Sequence, residues 1–314
     1  MPRKSISASH APTKRRVFAA LAVLQLLLPI VAAETNSEAR PKFLGANACA
    51  SSGCHGGAGA HQNQYLIWTS RDFHHQRPFA TLTTARSKQI SAALQIKDAT
   101  TDHQCISCHA PLREIPEPLR AERLRITEGV SCETCHGPSE NWLRSHTRAD
   151  YTHTDRVLSG MRDLKNLYVR ANTCVACHQT VPLPLLHAGH PELIFELDGQ
   201  SVTEPKHWRE KTNWHNAQAW AVGQSVALRE MLWQLETAGK PDAKLLARTE
   251  ALLWLFERLQ AGGNSLPKSA LSSGQSDASK LKEARAAADI LARDLAEFTW
   301  SNETTGAILK TLAS

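Results

Sequence analysis

The first informative feature of this sequence is what it lacks. After residue 33 no apolar run is long enough to span a bilayer. Neither cysteine nor histidine occurs after His215, so the C-terminal third offers no thiol or imidazole to a metal. Acidic residues are missing before Glu34, where five of the 36 Lys and Arg residues lie, leaving 31 against 30 Asp and Glu. This balance gives no reason to expect a nucleic-acid partner.

The basic N-terminus is followed by an apolar segment. KRR at 14–16 precedes seventeen uncharged residues, 17–33, which end in V-A-A. This layout predicts a signal peptide over residues 1–33, cleaved after Ala33, and an exported, periplasmic protein without a membrane span. The alternative is a retained N-terminal anchor, although the segment is barely long enough to span and Pro29 interrupts it.

The cysteines fall into four close pairs, and a histidine directly follows each pair. In an exported protein, eight cysteines could form disulfides, and C-x-x-C pairs also bind zinc. Neither needs a histidine at that position, whereas covalent haem attachment does: two thiols bond the porphyrin and the histidine ligates the iron. We therefore predict four covalent haems c. The thioether residues are Cys49, Cys54, Cys105, Cys108, Cys132, Cys135, Cys174 and Cys177, and the proximal ligands are His55, His109, His136 and His178.

The first motif, CASSGCH, has four residues between its cysteines instead of two. Gly53, Gly56 and Gly57 leave its backbone free to fold closely around a large planar group. A disulfide with an adjacent histidine is the alternative for this pair.

Ten further histidines lie between residues 61 and 215. Their density in a segment with four predicted irons indicates that most of the irons have a second histidine ligand.

Several stretches together resemble a known family: CISCH, GVSCETCHGP followed by Trp142 and His146, WTSRDFHHQRPFATL, and AGHPELIFEL. They are similar to the exported multihaem cytochromes c of the tetrahaem cytochrome c-554 family, over roughly residues 44–215. The resemblance implies a mainly helical, loop-rich protein with stacked haems that passes electrons between periplasmic partners. It also implies distal iron ligands at His75 or its neighbour His74, at His146 and at His190. For the fourth iron the leading candidates are His61 and His103, unless that iron stays five-coordinate.

The predicted fold is mainly α, in two parts. Residues 34–215 form a loop-rich tetrahaem domain with short helices near 59–69, 79–96, 117–126 and 138–146. Residues 216–314 form a haem-free helical bundle with helices over 217–238, 242–260 and 277–300, a short fourth helix, and a Gly/Ser-rich loop at 261–277. We expect the bundle to pack over the haem domain or to dimerise.

Some other side chains have two interpretations. The tryptophans near the boundary are predicted to serve in packing rather than in electron exit: Trp208, Trp214 and Trp220. Basic residues near the motifs either bind haem propionates or are solvated surface: Arg113, Arg144 and Lys206.

Taken together, these patterns favour an electron carrier that exchanges electrons with other redox proteins, its donor and acceptor. We predict no catalytic side chain, because no acid, base or substrate pocket is evident. The alternative is a redox enzyme that acts on a small nitrogen or oxygen compound at one five-coordinate haem.

Overall fold

The computed structural model describes residues 40–70, 73–179, 181–205, 216–238, 242–261 and 278–313. The predicted signal segment, the Gly/Ser-rich loop, Lys206, His207, Trp208, Trp214 and His215 lie outside the described residues. The predicted division at residue 215 lies there too, so the two-domain arrangement stays a prediction.

Helices account for all regular structure in the described ranges, apart from an isolated parallel bridge between Phe43 and Arg120. This confirms the mainly α fold class. The thirteen α-helices of these ranges are α1 Gln64–Trp68, α2 Pro78–Thr81, α3 Ala85–Ala93, α4 His103–His109, α5 Cys132–His136, α6 His153–Leu158, α7 Leu167–His178, α8 Leu183–His187, α9 Leu197–Thr203, α10 Asn216–Thr237, α11 Ala243–Ala261, α12 Ala278–Glu297 and α13 Asn302–Ala313.

Several short helices of the motif-bearing half begin at polar side chains that hydrogen-bond the first turn. The Asp102 carboxylate accepts a hydrogen bond from the Gln104 backbone at the start of α4, and the Asn166 side chain does the same for α7. At α5, the Ser131 backbone N donates to the Thr134 hydroxyl (3.2 Å). Such caps satisfy amide groups that a short helix leaves unpaired, so they fix where each motif helix starts.

Two of the predicted short helices are wrong. Residues 117–126 contain only a 3₁₀ turn at Glu117–Leu119, because the backbone on both sides of Arg120 hydrogen-bonds Phe43 instead of continuing a helix. Residues 138–146 form successive turns, and the hydrogen bond from His146 N to Trp142 O (2.9 Å) is one of few helical bonds there. The helix predicted over 79–96 is divided into α2 and α3.

The predicted C-terminal helices are confirmed, and they hold the main hydrophobic core. α10 packs along α12 and contacts α7, α9 and α11, while α13 packs on α11. Gly223 permits the close approach of α10 to α9, because a Cβ at this position would lie 2.7 Å from Cβ of Leu197. Trp220 packs partly buried against this core. The largest fully buried side chains of the main hydrophobic core include Leu197, Leu228, Leu232, Leu253, Leu259, Leu291, Leu295 and Ile308.

The motif-bearing half has a much thinner side-chain core. Its buried apolar clusters are small: one comprises Leu82, Ala99, Ile106 and Ala110, and another comprises Ile90, Val181 and Leu185. Side chains alone therefore bury little apolar surface around the cysteine motifs. No helix of the described ranges is long and apolar enough to cross a membrane.

Candidate haem-binding sites

Three of the four motifs lie at the C-terminal end of a helix. CISCH ends α4, CETCH forms α5 and CVACH ends α7, so each motif histidine is the last residue of its helix. No disulfide joins any of the eight cysteines, all of which lie within the described residues. The helical turn places the two thiols and the imidazole of a motif on neighbouring positions, as attachment to one ring requires.

The first motif closes its longer loop by backbone hydrogen bonds. His55 N donates to Cys49 O (3.2 Å), and Gly56 N donates to Ser51 O (3.0 Å). A Cβ on Gly56 would lie 1.9 Å from the Ala50 carbonyl oxygen, so only glycine fits there. The two additional residues are thus accommodated within a compact turn.

The thiols of different motifs lie next to one another. Cys49 and Cys132 are close enough for the Cys132 thiol to lower the pKa of Cys49, and Cys108 and Cys177 are close enough for the Cys177 thiol to lower that of Cys108. The first motif therefore lies beside the third, and the second beside the fourth. Burial raises the pKa of Cys135 to about 12 and that of Cys174 to about 11. The charge of Glu204 adds to the rise in both pKa values.

Three motif histidines face a histidine from outside the motifs. The ring centroids of His55 and His146 are 6.2 Å apart with planes at 11°. Those of His109 and His190 are 6.0 Å apart at 90°.

The third such site contains His178 and the adjacent pair His74 and His75. The His178 ring lies 6.2 Å from that of His75 and 6.4 Å from that of His74. One ligand atom from each of the three residues lies within 4.8 Å of those of the other two.

These separations fit a metal between two imidazoles. With a metal–nitrogen bond of about 2 Å on each side and about 1 Å from nitrogen to ring centre, two axial imidazoles have centroids about 6 Å apart. Ordinary aromatic pairs also occur at about 4.5–7 Å. What favours a metal is that every pair joins one motif histidine to one histidine outside the motifs.

Three of these histidines have hydrogen bonds that select the tautomer that an axial ligand needs, whereas Nδ1 of His178 accepts from the Gln200 side-chain amide. Nδ1 of His109 lies 2.7 Å from Pro78 O, Nδ1 of His146 lies 2.7 Å from Leu143 O, and Nδ1 of His190 lies 2.7 Å from Pro191 O. A carbonyl oxygen can only accept, so each Nδ1 carries the proton and the lone pair is on Nε2. Metal-bound histidines characteristically donate their other N–H in this way.

The remaining motif histidines have side-chain partners. Nδ1 of His55 lies 3.1 Å from Oε1 of Gln64, and Nδ1 of His178 lies 3.0 Å from the Gln200 side-chain amide nitrogen. The backbone carbonyl of His136 accepts from Arg162 N (2.8 Å), which places the 159–162 turn against the end of α5.

Glu204 distinguishes the two adjacent histidines. Its carboxylate contacts Nδ1 of His75 at 3.2 Å but Nε2 of His74 at 3.4 Å. Burial acts to raise the pKa of Glu204, but hydrogen bonds from His74 and His75 outweigh it and lower that pKa to about 2. Only His75 therefore keeps the Nδ1-bonded arrangement seen at His109, His146 and His190.

Burial favours the neutral form of three of the paired imidazoles. It lowers the pKa of His109 and of His146, and together with the charges of His75 and His74 it lowers the pKa of His178 to about 4. A histidine must be neutral to bind a metal. The residues present thus fit haem iron held on both faces.

The other predicted ligands are more exposed. His61 lies exposed in the loop after the first motif. His103 has an 82 % exposed side chain and is paired with the Glu114 carboxylate. His153 and His187 contact Asp163 and Asp242.

Glu133, the second residue of CETCH, has a structural role that was not predicted from the sequence. Its side chain is 1 % exposed, and it accepts backbone hydrogen bonds from Leu44 (2.9 Å), Gly45 (2.6 Å) and Ser139 (2.8 Å). These bonds fasten the segment that precedes the first motif to the third motif. An acidic residue within a haem motif was the only signal, and it did not reveal these partners.

Thiol pairs that end in a histidine, on a helical scaffold with a second imidazole about 6 Å from three of the motif histidines, are the arrangement expected at c-type haems. Residues 48–137 match the family model of cytochrome c554 and c-prime. The resemblance predicted from the motifs is confirmed over this segment, which holds the first three motifs and ends before the fourth. It supports covalently bound haem c and a role in electron transfer. No curated protein and no solved structure matched the chain.

Proposed function

We propose that the protein is an exported electron carrier with four covalent haems c, one at each cysteine motif. The observation that carries this proposal is the set of three imidazole pairs about 6 Å apart at His55, His109 and His178. An iron held by two histidines has no open position for a substrate, so it exchanges electrons without making or breaking bonds.

The proposed distal ligands are His146 for the iron at His55, His190 for the iron at His109, and His75 for the iron at His178. The Nδ1 contacts of His146, His190 and His75, and the burial that lowers the pKa of His146, support these assignments. His61 is the remaining candidate for the iron at His136.

The contacts between motifs also support an order for the haems. Cys49 lies against Cys132, and Cys108 lies against Cys177. Cys135 is close enough to Cys174 for the charge of that thiol to affect its pKa. Numbered along the chain, the haems would therefore follow the order 1, 3, 4, 2, with haems 1 and 2 at the ends of the electron path.

The proposal is tested on protein matured in a host that assembles cytochromes c. A pyridine haemochrome assay and the intact mass should show a chain beginning at Glu34 with four haems. Visible and EPR spectra should show mainly low-spin iron. Colourless protein with eight titratable thiols contradicts the proposal. A high-spin fraction that binds carbon monoxide or nitric oxide would support the enzyme alternative.

A further inference from the structure

Two buried nitrogen atoms beside one of the proposed haems lack a hydrogen-bond acceptor among the described residues. They are Nε1 of Trp142, whose side chain is 5 % exposed, and Nε of Arg156. Leaving a buried donor unsatisfied costs about 1–3 kcal/mol, and more for a charged group. Native proteins rarely leave such donors without a partner, so these two indicate a missing acceptor.

Both residues flank His146, the proposed distal ligand of the iron at His55. Trp142 lies one turn before His146 in the chain, with its ring perpendicular to the imidazole and the centroids 5.5 Å apart. Burial lowers the pKa of His146, two backbone hydrogen bonds act to raise it, and the charge of His55 lowers it further; Arg156, on α6, is near enough for its positive charge to add to this lowering. Neither donor belongs to the iron-ligating set itself.

The chemistry of the donors identifies the kind of acceptor. A guanidinium prefers a carboxylate or a phosphate, because its N–H groups match two oxygens at once. An indole N–H can only donate. Together they suit a carboxylate, and a haem carries two propionate carboxylates at its periphery.

Arg156 differs from its charged neighbours. Arg148 is 63 % exposed and already paired with Asp150, and Arg162 donates to the Thr134 carbonyl oxygen. Arg144, predicted from sequence as one of three possible propionate partners, is exposed.

We propose that Arg156 and Nε1 of Trp142 bind a propionate of the haem ligated by His55 and His146. This inference rests on the proposed function, since it requires that haem to be present. Arg156 would hold its positive charge near this iron and so favour the reduced state, which carries one positive charge less.

This haem can be observed separately from two of the others. Its axial rings are nearly parallel, at 11°, whereas those at His109 and His178 are close to perpendicular. Parallel imidazoles donate to the same iron d orbital and give a rhombic low-spin EPR signal. Perpendicular imidazoles leave two d orbitals nearly degenerate and give a strongly anisotropic signal. The rhombic component that is lost in His146→Ala reports the haem at His55 when it is followed in a potentiometric titration.

The test compares Arg156→Gln, Arg156→Lys and Trp142→Phe with wild-type holoprotein. We expect Arg156→Gln to lower the midpoint potential of the rhombic component by about 59 mV. For one electron this is about a tenfold change in the equilibrium constant for reduction. Arg156→Lys keeps the charge and should shift the midpoint less. Trp142→Phe keeps the ring but loses the N–H, and it should also lower the midpoint. Arg148→Gln removes an exposed charge from the same stretch of chain and is the control.

An unchanged rhombic midpoint in both Arg156→Gln and Trp142→Phe, with four haems in the intact mass, overturns the inference but not the proposed function. A shift confined to the anisotropic components overturns the assignment to this haem. Wild-type protein without haem refutes the proposed function itself. If Arg156→Gln does not mature, Arg156→Lys and Trp142→Phe decide the question.

Discussion

Arg229 joins the C-terminal bundle to the helix that carries the fourth motif. Its side chain is 16 % exposed, and it contacts Asp289 at 2.6 Å on α12 and Asn172 at 2.7 Å on α7. Asp289 also accepts from the hydroxyl of Tyr168 on α7 (2.7 Å) and from Arg293 (3.0 Å). Replacing Arg229 with Gln removes the charge at the centre of this network.

The expected size of the effect follows from these contacts. Breaking a buried ion pair by removing one partner costs about 3–5 kcal/mol. Asp289 keeps two partners and Arg229 is not fully buried, so we expect roughly half of that, about 2 kcal/mol. For a chain of this size the loss corresponds to a fall in Tm of about 4–8 °C.

Thermal unfolding followed by far-ultraviolet circular dichroism measures the loss, and Arg293→Gln provides the matched control. Arg293 also pairs with Asp289, but its side chain is 57 % exposed, so its removal should cost less than about 1 kcal/mol. Equal falls in Tm for the two variants would refute the argument that Arg229 contributes more to stability because it is less exposed.

Three further predictions concern the haem sites and the bundle. His146→Ala should leave the iron at His55 five-coordinate, which appears as a high-spin signal, carbon monoxide binding and loss of the rhombic EPR component. Gly129→Ala should destabilise the fold by about 1–3 kcal/mol and disturb His75. Gly129 has φ +74°, and a Cβ at this position would lie 2.8 Å from the His75 carbonyl oxygen. Thermal unfolding measures the loss of stability, and the high-spin fraction measures the disturbance of His75. Burial acts to raise the pKa of Asp289, but the hydrogen bonds of its carboxylate outweigh burial and lower that pKa. The contribution of Asp289 to stability is therefore present above pH 3.8 and disappears as the pH falls further. The difference in Tm between wild type and Asp289→Asn should shrink in acid.

Each of these predictions has a control. His187→Ala removes an exposed histidine that pairs with Asp242, and it should leave the iron spectra unchanged. Gly306→Ala lies in α13 with nothing within 4 Å of a new Cβ, so it should stabilise the fold slightly, by up to about 1 kcal/mol. Similar destabilisation by Gly306→Ala and Gly129→Ala would show that the contact with His75 is irrelevant. A difference in Tm for Asp289→Asn that is unaffected by acid would contradict the network.

Sequence patterns predicted some parts of the structure better than others. The apolar periodicity of residues 217–300 gave the long helices within a few residues, because one buried face repeats over many turns. The segment 117–126 looked helical but pairs with Phe43, which lies far away in the chain and leaves no local signal.

The candidate haem sites also combine features that were predicted from the sequence with features that were not. The cysteine pairs and their histidines are local motifs, and they can be read directly. The partner of each motif histidine is a matter of tertiary structure, and only the resemblance to a family suggested His146 and His190. The spacing of Phe79 and Leu82 favoured His75 over His74 but did not decide between them, because the distinction depends on which ring nitrogen Glu204 contacts.

The pairing of His55 with His146 has a consequence for biogenesis. Under the proposed assignment, the N-terminal haem obtains its second ligand from a residue translocated only after two more attachment motifs have crossed the membrane. Until then its iron is exposed to peroxide and to diatomic gases. Cells should therefore accumulate damaged protein when export stalls between the third motif and residue 146.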